Sequence, residues 1–202
     1  MFIDRFLAST FSYNIETVLL FNKIDEIDYK DDKNLIRLMT IYKNAGYKCL
    51  SISGKKSINI DHLKKVMINK SCVFSGHSGV GKSTLINKLD SKINIKTSPI
   101  SESNLSGQHT TTFSEMYDLN FNARIIDTPG IKGFGLYDVK QNELRDFFKE
   151  FTKVQNCKFN NCLHFEEPGC QVKIKVDNGT ISKSRYQNYI TLLNEINNNY
   201  RI

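Results

Sequence analysis

Gly76-His77-Ser78-Gly79-Val80-Gly81-Lys82-Ser83 fits the pattern G-x-x-x-x-G-K-[ST], that of a loop which wraps phosphate groups. Glycines let backbone N–H groups close around phosphate oxygens without side-chain clashes. Lys82 is spaced to reach the outer phosphates, and the Ser83 hydroxyl, followed by Thr84, to ligate Mg²⁺. A second constellation, Asn22-Lys23-Ile24-Asp25, has what a guanine pocket needs. The Asp25 carboxylate can accept from both N1–H and the exocyclic amine of guanine, and adenine offers neither there. Asn22 can bond the other edge of the base, and the Lys23 stem can lie along the ring. Alone, this four-residue match also suits a surface turn; beside the phosphate loop it is specific.

A third group lies further on. Asp127-Thr128-Pro129-Gly130 would hold Mg²⁺ through water at Asp127 and face the terminal phosphate with the Gly130 N–H. Gly107-Gln108-His109-Thr110-Thr111-Thr112 offers threonines of the kind that complete a Mg²⁺ shell in a nucleotide switch. The spacing leaves open which of Thr110, Thr111 and Thr112 does so, and a Thr-rich strand entry is the plain alternative. Ile131 follows Gly130, where a water-orienting glutamine is common, so slow intrinsic hydrolysis is expected unless another group positions the water. His109 is a candidate, although a structural role is the simpler reading. Near the C-terminus stands Cys157-x4-Cys162-x-His164-x5-Cys170, a set of thiolates and an imidazole suited to tetrahedral Zn²⁺.

These residues need elements to place them. Thr17–Phe21 reads as a buried strand feeding the guanine motif, and Cys72–Phe74 as a strand feeding the phosphate loop. The loop runs into a helix over Thr84–Leu89, whose positive end faces the same phosphates. Asn34–Asn44 has helical spacing with Gly46 as its cap, and Tyr47–Ile52 reads as a strand ending in Ser53-Gly54, where a second base-contacting loop would sit. A helix N-capped by Asp61 runs through Met67, carrying a surface His62. Residues 91–109 are polar and irregular, the mark of a functional loop. Ser114–Leu119 and Asn122–Ile126 read as a hairpin that delivers Asp127. Before all of these, residues 1–14 read as a short lead with a helical turn at Asp4–Ala8.

The bulk numbers bound the rest. The chain has 202 residues and 40% hydrophobic content, enough for one α/β domain with a small appendage. Its formal charge of +7 hints at a polyanionic partner. No apolar run reaches the length of a membrane span, and no signal peptide opens the chain. Five cysteines, an odd number, argue for a reducing compartment.

The order of motifs is unusual: the guanine motif comes first, the phosphate loop second and Asp127–Gly130 last. That order resembles the circularly permuted GTPases. The tail, with Glu167-Pro168-Gly169 before the last cysteine and Arg185-Tyr186-x-x-Tyr189 beyond, resembles the RsgA (YjeQ) family of small-ribosomal-subunit-dependent GTPases. The resemblance covers essentially the whole chain. It implies an α/β, Ras-like, circularly permuted GTPase domain over 1–150 and a zinc-binding subdomain over 151–202. It also implies GTP, Mg²⁺ and one Zn²⁺ as ligands, with the small ribosomal subunit and its rRNA as partners. The protein would be a cytoplasmic monomer that assists late maturation of that subunit. Lys173, Lys175, Lys183 and Arg185 add positive charge to the tail. Tyr186 and Tyr189 could stack on bases, but with Leu192, Leu193 and Ile196 they read better as a packed helix face.

Two departures stand out. Family members carry an N-terminal OB-fold barrel, and too few residues precede Thr17 here to form one. They also have a basic residue where Gln108 stands. The first departure motivates a rival expectation, a GTP-binding, RNA-contacting module with little turnover.

Overall fold

A computed structural model of the chain describes residues 1–28, 30–93, 95, 115–127, 136 and 139–199. The chain divides into two compact units, one of residues 1–19, 34–49 and 134–202, the other of residues 20–33 and 50–133.

The second unit carries the nucleotide motifs. Strand β1 (Val18–Phe21) enters it and pairs with β2 (Lys48–Ser51) in a two-stranded sheet. The β1 side chains are half-buried rather than buried, consistent with a strand that has one neighbour in its sheet among the described residues. A 3-10 turn, Ile24–Glu26, follows β1. Helix α3 (Ile60–Met67) turns Ile60, Leu63 and Met67 into the core. Its N-cap is Asn59 rather than Asp61. Asn59 tolerates the left-handed conformation required there (φ 59°), and its amide donates to the Ser51 carbonyl.

Strand β3 (Ser71–Val73) runs parallel to β5 (Ala123–Asp127), which pairs antiparallel with β4 (Glu115–Leu119). The register sets Val73 beside Ile126 and Ile126 beside Met116. Helix α4 (Lys82–Leu89) buries Leu85, Ile86 and Leu89 against Ile52, Leu63, Met67, Leu119 and Ile125. Fully burying side chains of this size contributes about 1.5–3 kcal/mol each.

Two side chains tie α4 to its surroundings. Asn87 donates to the Ile95 carbonyl and accepts from the Ile95 N–H, both at 2.8 Å. Asp90, just beyond the helix, accepts from the N–H groups of Lys92 at 2.9 Å and Asn120 at 3.0 Å, the latter in the β4–β5 turn.

Apart from the first halves of β1 and β2, the elements described in the first unit are helices. Helix α1 (Phe2–Ser12) is longer than the single turn expected at Asp4–Ala8. Its buried face mixes Leu7 and Ala8 with Asp4, Ser9 and Thr10, which breaks the apolar periodicity that would betray it. Helix α2 (Lys33–Asn44) ends at Gly46, whose φ of 93° makes it a left-handed cap. The short helices α5 (Gln141–Leu144) and α6 (Lys149–Thr152), joined by a 3-10 turn at Arg145–Phe147, lead to α7 (Gln171–Asp177) and α8 (Lys183–Asn199). Leu144, Phe148, Phe151, Val172, Tyr189, Leu192 and Leu193 form the core, with Ala8 of α1 packed in.

One charged cluster sits inside this unit. Arg185 of α8 is 2% exposed, not a surface cation as its sequence context suggested. It forks onto both carboxylate oxygens of Glu150 at 2.7 and 2.9 Å and onto Asp4 at 2.6 Å. Tyr42 of α2 and Asn188 of α8 also donate to Asp4. The rings of Tyr42, Tyr47 and Phe148 lie 4.7–5.6 Å from the guanidinium carbon. Burial works against the charge on Arg185, but its bonds to Glu150 and the charges of Glu150 and Asp4 outweigh that and hold it protonated.

Candidate functional site

The phosphate-loop residues join β3 to the first turn of α4, where Lys82 and Ser83 stand and Thr84 follows. Gly79 (φ 78°) and Gly81 (φ 93°) lie in the left-handed region. A Cβ on Gly81 would also come within 2.5 Å of the Asn22 side-chain nitrogen, so no other residue fits without displacing Asn22. Lys82 Nζ donates to the carbonyls of Gly76 at 2.7 Å and His77 at 2.9 Å, so the loop holds its own ammonium across its mouth.

The guanine motif comes to the same place. Asn22 Nδ2 donates to the Val80 carbonyl at 2.9 Å, and Asn22 Oδ1 accepts from the Gly54 N–H at 3.0 Å. One side chain therefore bridges the 76–83 loop and the loop after β2. Lys23 takes a left-handed backbone (φ 67°) that turns the chain into the 3-10 helix carrying Asp25. Ser53 Oγ donates to Asp25 Oδ1 at 2.5 Å and accepts from the Lys56 N–H at 2.9 Å. The Ser53 bond is the main reason the Asp25 carboxyl is held below its ordinary range, with Lys55 and Lys56 adding to it. An ionised carboxylate fixed this way is the acceptor that guanine requires. Asn22, Lys23, Asp25, Ser53, Gly54, Gly76, His77, Ser78, Gly79, Val80, Gly81, Lys82, Ser83 and Thr84 all fall in the second unit. The bridge at Asn22 joins three of their loops.

Asp127 is the last residue of β5, its backbone opposite Glu115, and its side chain lies outside the described residues. Gln108, His109, Thr110, Thr111, Thr112, Gly130 and Ile131 also lie outside them.

In the first unit, the ligand atoms of Cys157, Cys162, His164 and Cys170 all lie within 4.8 Å of one another. His164 Nδ1 is 3.7 Å from Cys157 Sγ and 3.3 Å from Cys170 Sγ. Tetrahedral zinc with Zn–S near 2.3 Å and Zn–N near 2.0 Å sets such edges at roughly 3.5–3.8 Å, so the donor set fits one zinc ion. Burial pushes the Cys162 thiol up to about 12 and raises that of Cys170. Thiolates at these positions therefore call for a cation among them. Burial, with the nearby Arg145 charge, keeps His164 neutral, the form that ligates.

The loop presenting these ligands is held by side chains. Arg145 donates to the carbonyls of Asn160 at 3.1 Å and Cys162 at 2.8 Å. Tyr189 donates to the Leu163 carbonyl at 2.5 Å, Tyr186 to that of His164 at 2.8 Å, and Lys173 to that of Phe165 at 3.1 Å. Glu167 accepts from the N–H groups of Leu163 and Phe165. Tyr189 is fully buried in the core, and the hydroxyls of both tyrosines are engaged with the loop. The packed helix face expected for Tyr186 and Tyr189 is present, whereas the hydroxyl bonds of the two tyrosines and the supporting roles of Arg145 and Glu167 escaped the sequence.

An α/β phosphate-loop site whose guanine motif precedes its phosphate motif defines a circularly permuted GTPase domain. The model of a family described as RsgA GTPase matches residues 1–137. The chain belongs to the RsgA GTPase family. A small ribosomal subunit biogenesis GTPase RsgA of Christiangramia forsetii is 50% identical over 202 residues, all of this chain and 64% of that relative. Its counterpart in Flavobacterium johnsoniae is 51% identical over 201 residues, 99% of this chain and 62% of that relative. Among solved structures, YjeQ from Thermotoga maritima superposes with a TM-score of 0.82 at 34% identity, covering 96% of this chain and 65% of that one. YloQ, a circularly permuted GTPase, superposes with a TM-score of 0.78 at 27% identity, covering 98% and 63%. The chain thus spans a little under two thirds of the length of these relatives.

Proposed function

We propose that the chain binds GTP with Mg²⁺, hydrolyses it, and acts in late maturation of the small ribosomal subunit. The observation that carries the guanine-nucleotide reading is the Asn22 bridge. It fixes the phosphate loop at Val80 and the base loop at Gly54 at once. Asp25, held ionised by Ser53, selects guanine over adenine. The N–H groups of the 76–83 loop, the N-terminus of α4 and Lys82 stabilise charge that develops on the outer phosphates. Ser83, a threonine among residues 110–112 and, through water, Asp127 would hold the magnesium ion, and the Gly130 N–H would meet the terminal phosphate. Ile131 cannot orient the attacking water, so His109 or the ribosomal subunit does.

Cys157, Cys162, His164 and Cys170 hold one zinc ion, which pins the loop over residues 157–170. Residues 151–202 act as the zinc-binding subdomain beside a GTPase domain over 1–150. The positive charge of the chain favours ribosomal RNA as the contact surface. The relatives from Christiangramia forsetii and Flavobacterium johnsoniae, both small ribosomal subunit biogenesis GTPases, support the ribosomal role. We place the protein in the cytoplasm as a monomer. Among the described residues no helix is long and apolar enough to cross a membrane.

GTP turnover with and without purified small ribosomal subunits tests this reading. Strong stimulation by the subunit is the expected result. Tight GTP binding with a flat response to subunits would count against it and point instead to a GTP-binding, RNA-contacting module that turns over little.

A further inference from the structure

Among the zinc ligands, His164 is set apart by its backbone. It has φ of 58°, a left-handed conformation that an L-residue adopts at a cost unless its neighbours impose it. The residues on either side of it are clamped by a single carboxylate. Glu167 Oε1 accepts from the Leu163 N–H at 2.6 Å, and Glu167 Oε2 from the Phe165 N–H at 2.9 Å. Both oxygens are thus used in parallel charge-assisted bonds that span His164. Beyond the clamp, Gly169 takes a left-handed backbone (φ 69°) just before Cys170, the next ligand.

We propose that Glu167 is the positioning residue of the metal loop: it imposes the left-handed turn that aims the His164 imidazole at the cysteine sulfurs. The proposal rests on the zinc reading given above. Other side chains that hold the loop cannot replace Glu167. Arg145, Lys173, Tyr186 and Tyr189 bond only carbonyls there, whereas Glu167 holds the N–H groups flanking His164. Supporting residues of this kind change metal affinity by about 10–100-fold when removed.

Glutamine is the discriminating substitution. Its amide keeps one acceptor, but its NH2 group would face a backbone N–H, so one of the two bonds becomes a clash of donors. Zinc affinity of the full chain should be measured by competition with a chromogenic chelator, and the Co²⁺-substituted protein examined by visible absorption. For Glu167→Gln we expect zinc affinity to fall by about tenfold or more and the Co²⁺ ligand-field bands to shift, with far-UV circular dichroism at saturating zinc as in the parent. Lys173→Met, which removes a loop bond on the carbonyl side, should cost less affinity than Glu167→Gln and leave the Co²⁺ bands in place. Unchanged affinity and bands in Glu167→Gln would overturn the proposal, as would an equal loss in Lys173→Met. If Glu167→Ala fails to fold, Glu167→Gln still decides. A parent chain that binds no zinc in the same titration would instead bring down the metal reading itself.

Discussion

Asp25 keeps its charge through Ser53, and that charge separates guanine from adenine. Asp25→Asn retains the shape but presents an amide that can donate to the adenine or xanthine edge. Preference for GTP over XTP should collapse or reverse by about tenfold or more, measured by competition against a fluorescent guanine nucleotide. Unchanged GTP selectivity would refute the role of Asp25. At this scale the sequence was legible wherever partners are close in sequence or follow a fixed spacing, as in Gly76–Ser83 and Cys157–Cys170. It misled at Arg185, whose acidic partners Asp4 and Glu150 stand 181 and 35 residues away. A basic residue among lysines reads as solvated, and only the folded chain brings the carboxylates to it.

Among the elements, α4 matters most, because its first turn carries Lys82 and Ser83 and its far end is tied down by Asn87 and Asp90. The N–H bond from Lys92, then that from Asn120, holds the Asp90 carboxyl below its ordinary value of 3.8 despite burial. The unfolded chain therefore takes up this proton at a higher pH than the folded one. The contribution of Asp90 is present above pH 3.8 and is lost as the pH falls through the folded value. In Asp90→Asn the amide can accept only one of the two bonds. The variant should melt lower than the parent near neutral pH, and the difference should shrink below pH 3.8. Parallel melting curves across that range would refute it. The α4 helix was readable from its loop and apolar spacing, whereas α1 was not, because a buried aspartate, serine and threonine interrupt its stripe.

Arg185 joins α1, α6 and α8, and through Asp4 it reaches Tyr42 of α2. Arg185→Met removes the cation and leaves two carboxylates inside the first unit. Breaking a buried pair this way costs about 3–5 kcal/mol. A marked drop in the thermal midpoint by circular dichroism is expected, since the chain has no tryptophan to report on it. Arg185→Lys should recover little, because an ammonium cannot reproduce the forked geometry on Glu150. A midpoint within a degree of the parent would mean that the cluster is not stabilising.

For the molecule as a whole, the formal charge of +7 sets the salt response. If ribosomal RNA is the contact surface, raising monovalent salt from about 50 to about 200 mM should weaken subunit binding by about tenfold or more, with log affinity falling linearly in log salt. A salt-insensitive affinity would point to a protein contact instead. The permuted order was legible at this scale because each motif keeps its local spelling. The division into units was not, since residues 1–19 and 34–49 join the first unit by pairing with residues far along the chain.

The Asp4–Arg185 pair has a consequence for how the protein is made. During synthesis Asp4 leaves the ribosome 181 residues ahead of its partner. At about 5–20 residues per second that is a wait of about 10–40 s. Over that interval α1 carries an acidic group that it cannot bury. The second unit, complete by residue 133, can close on the nascent chain in the meantime. That unit can therefore close before Tyr186 and Tyr189 reach the metal loop, whereas α1 can make its bonds to α8 only after Arg185 and Asn188 have been added.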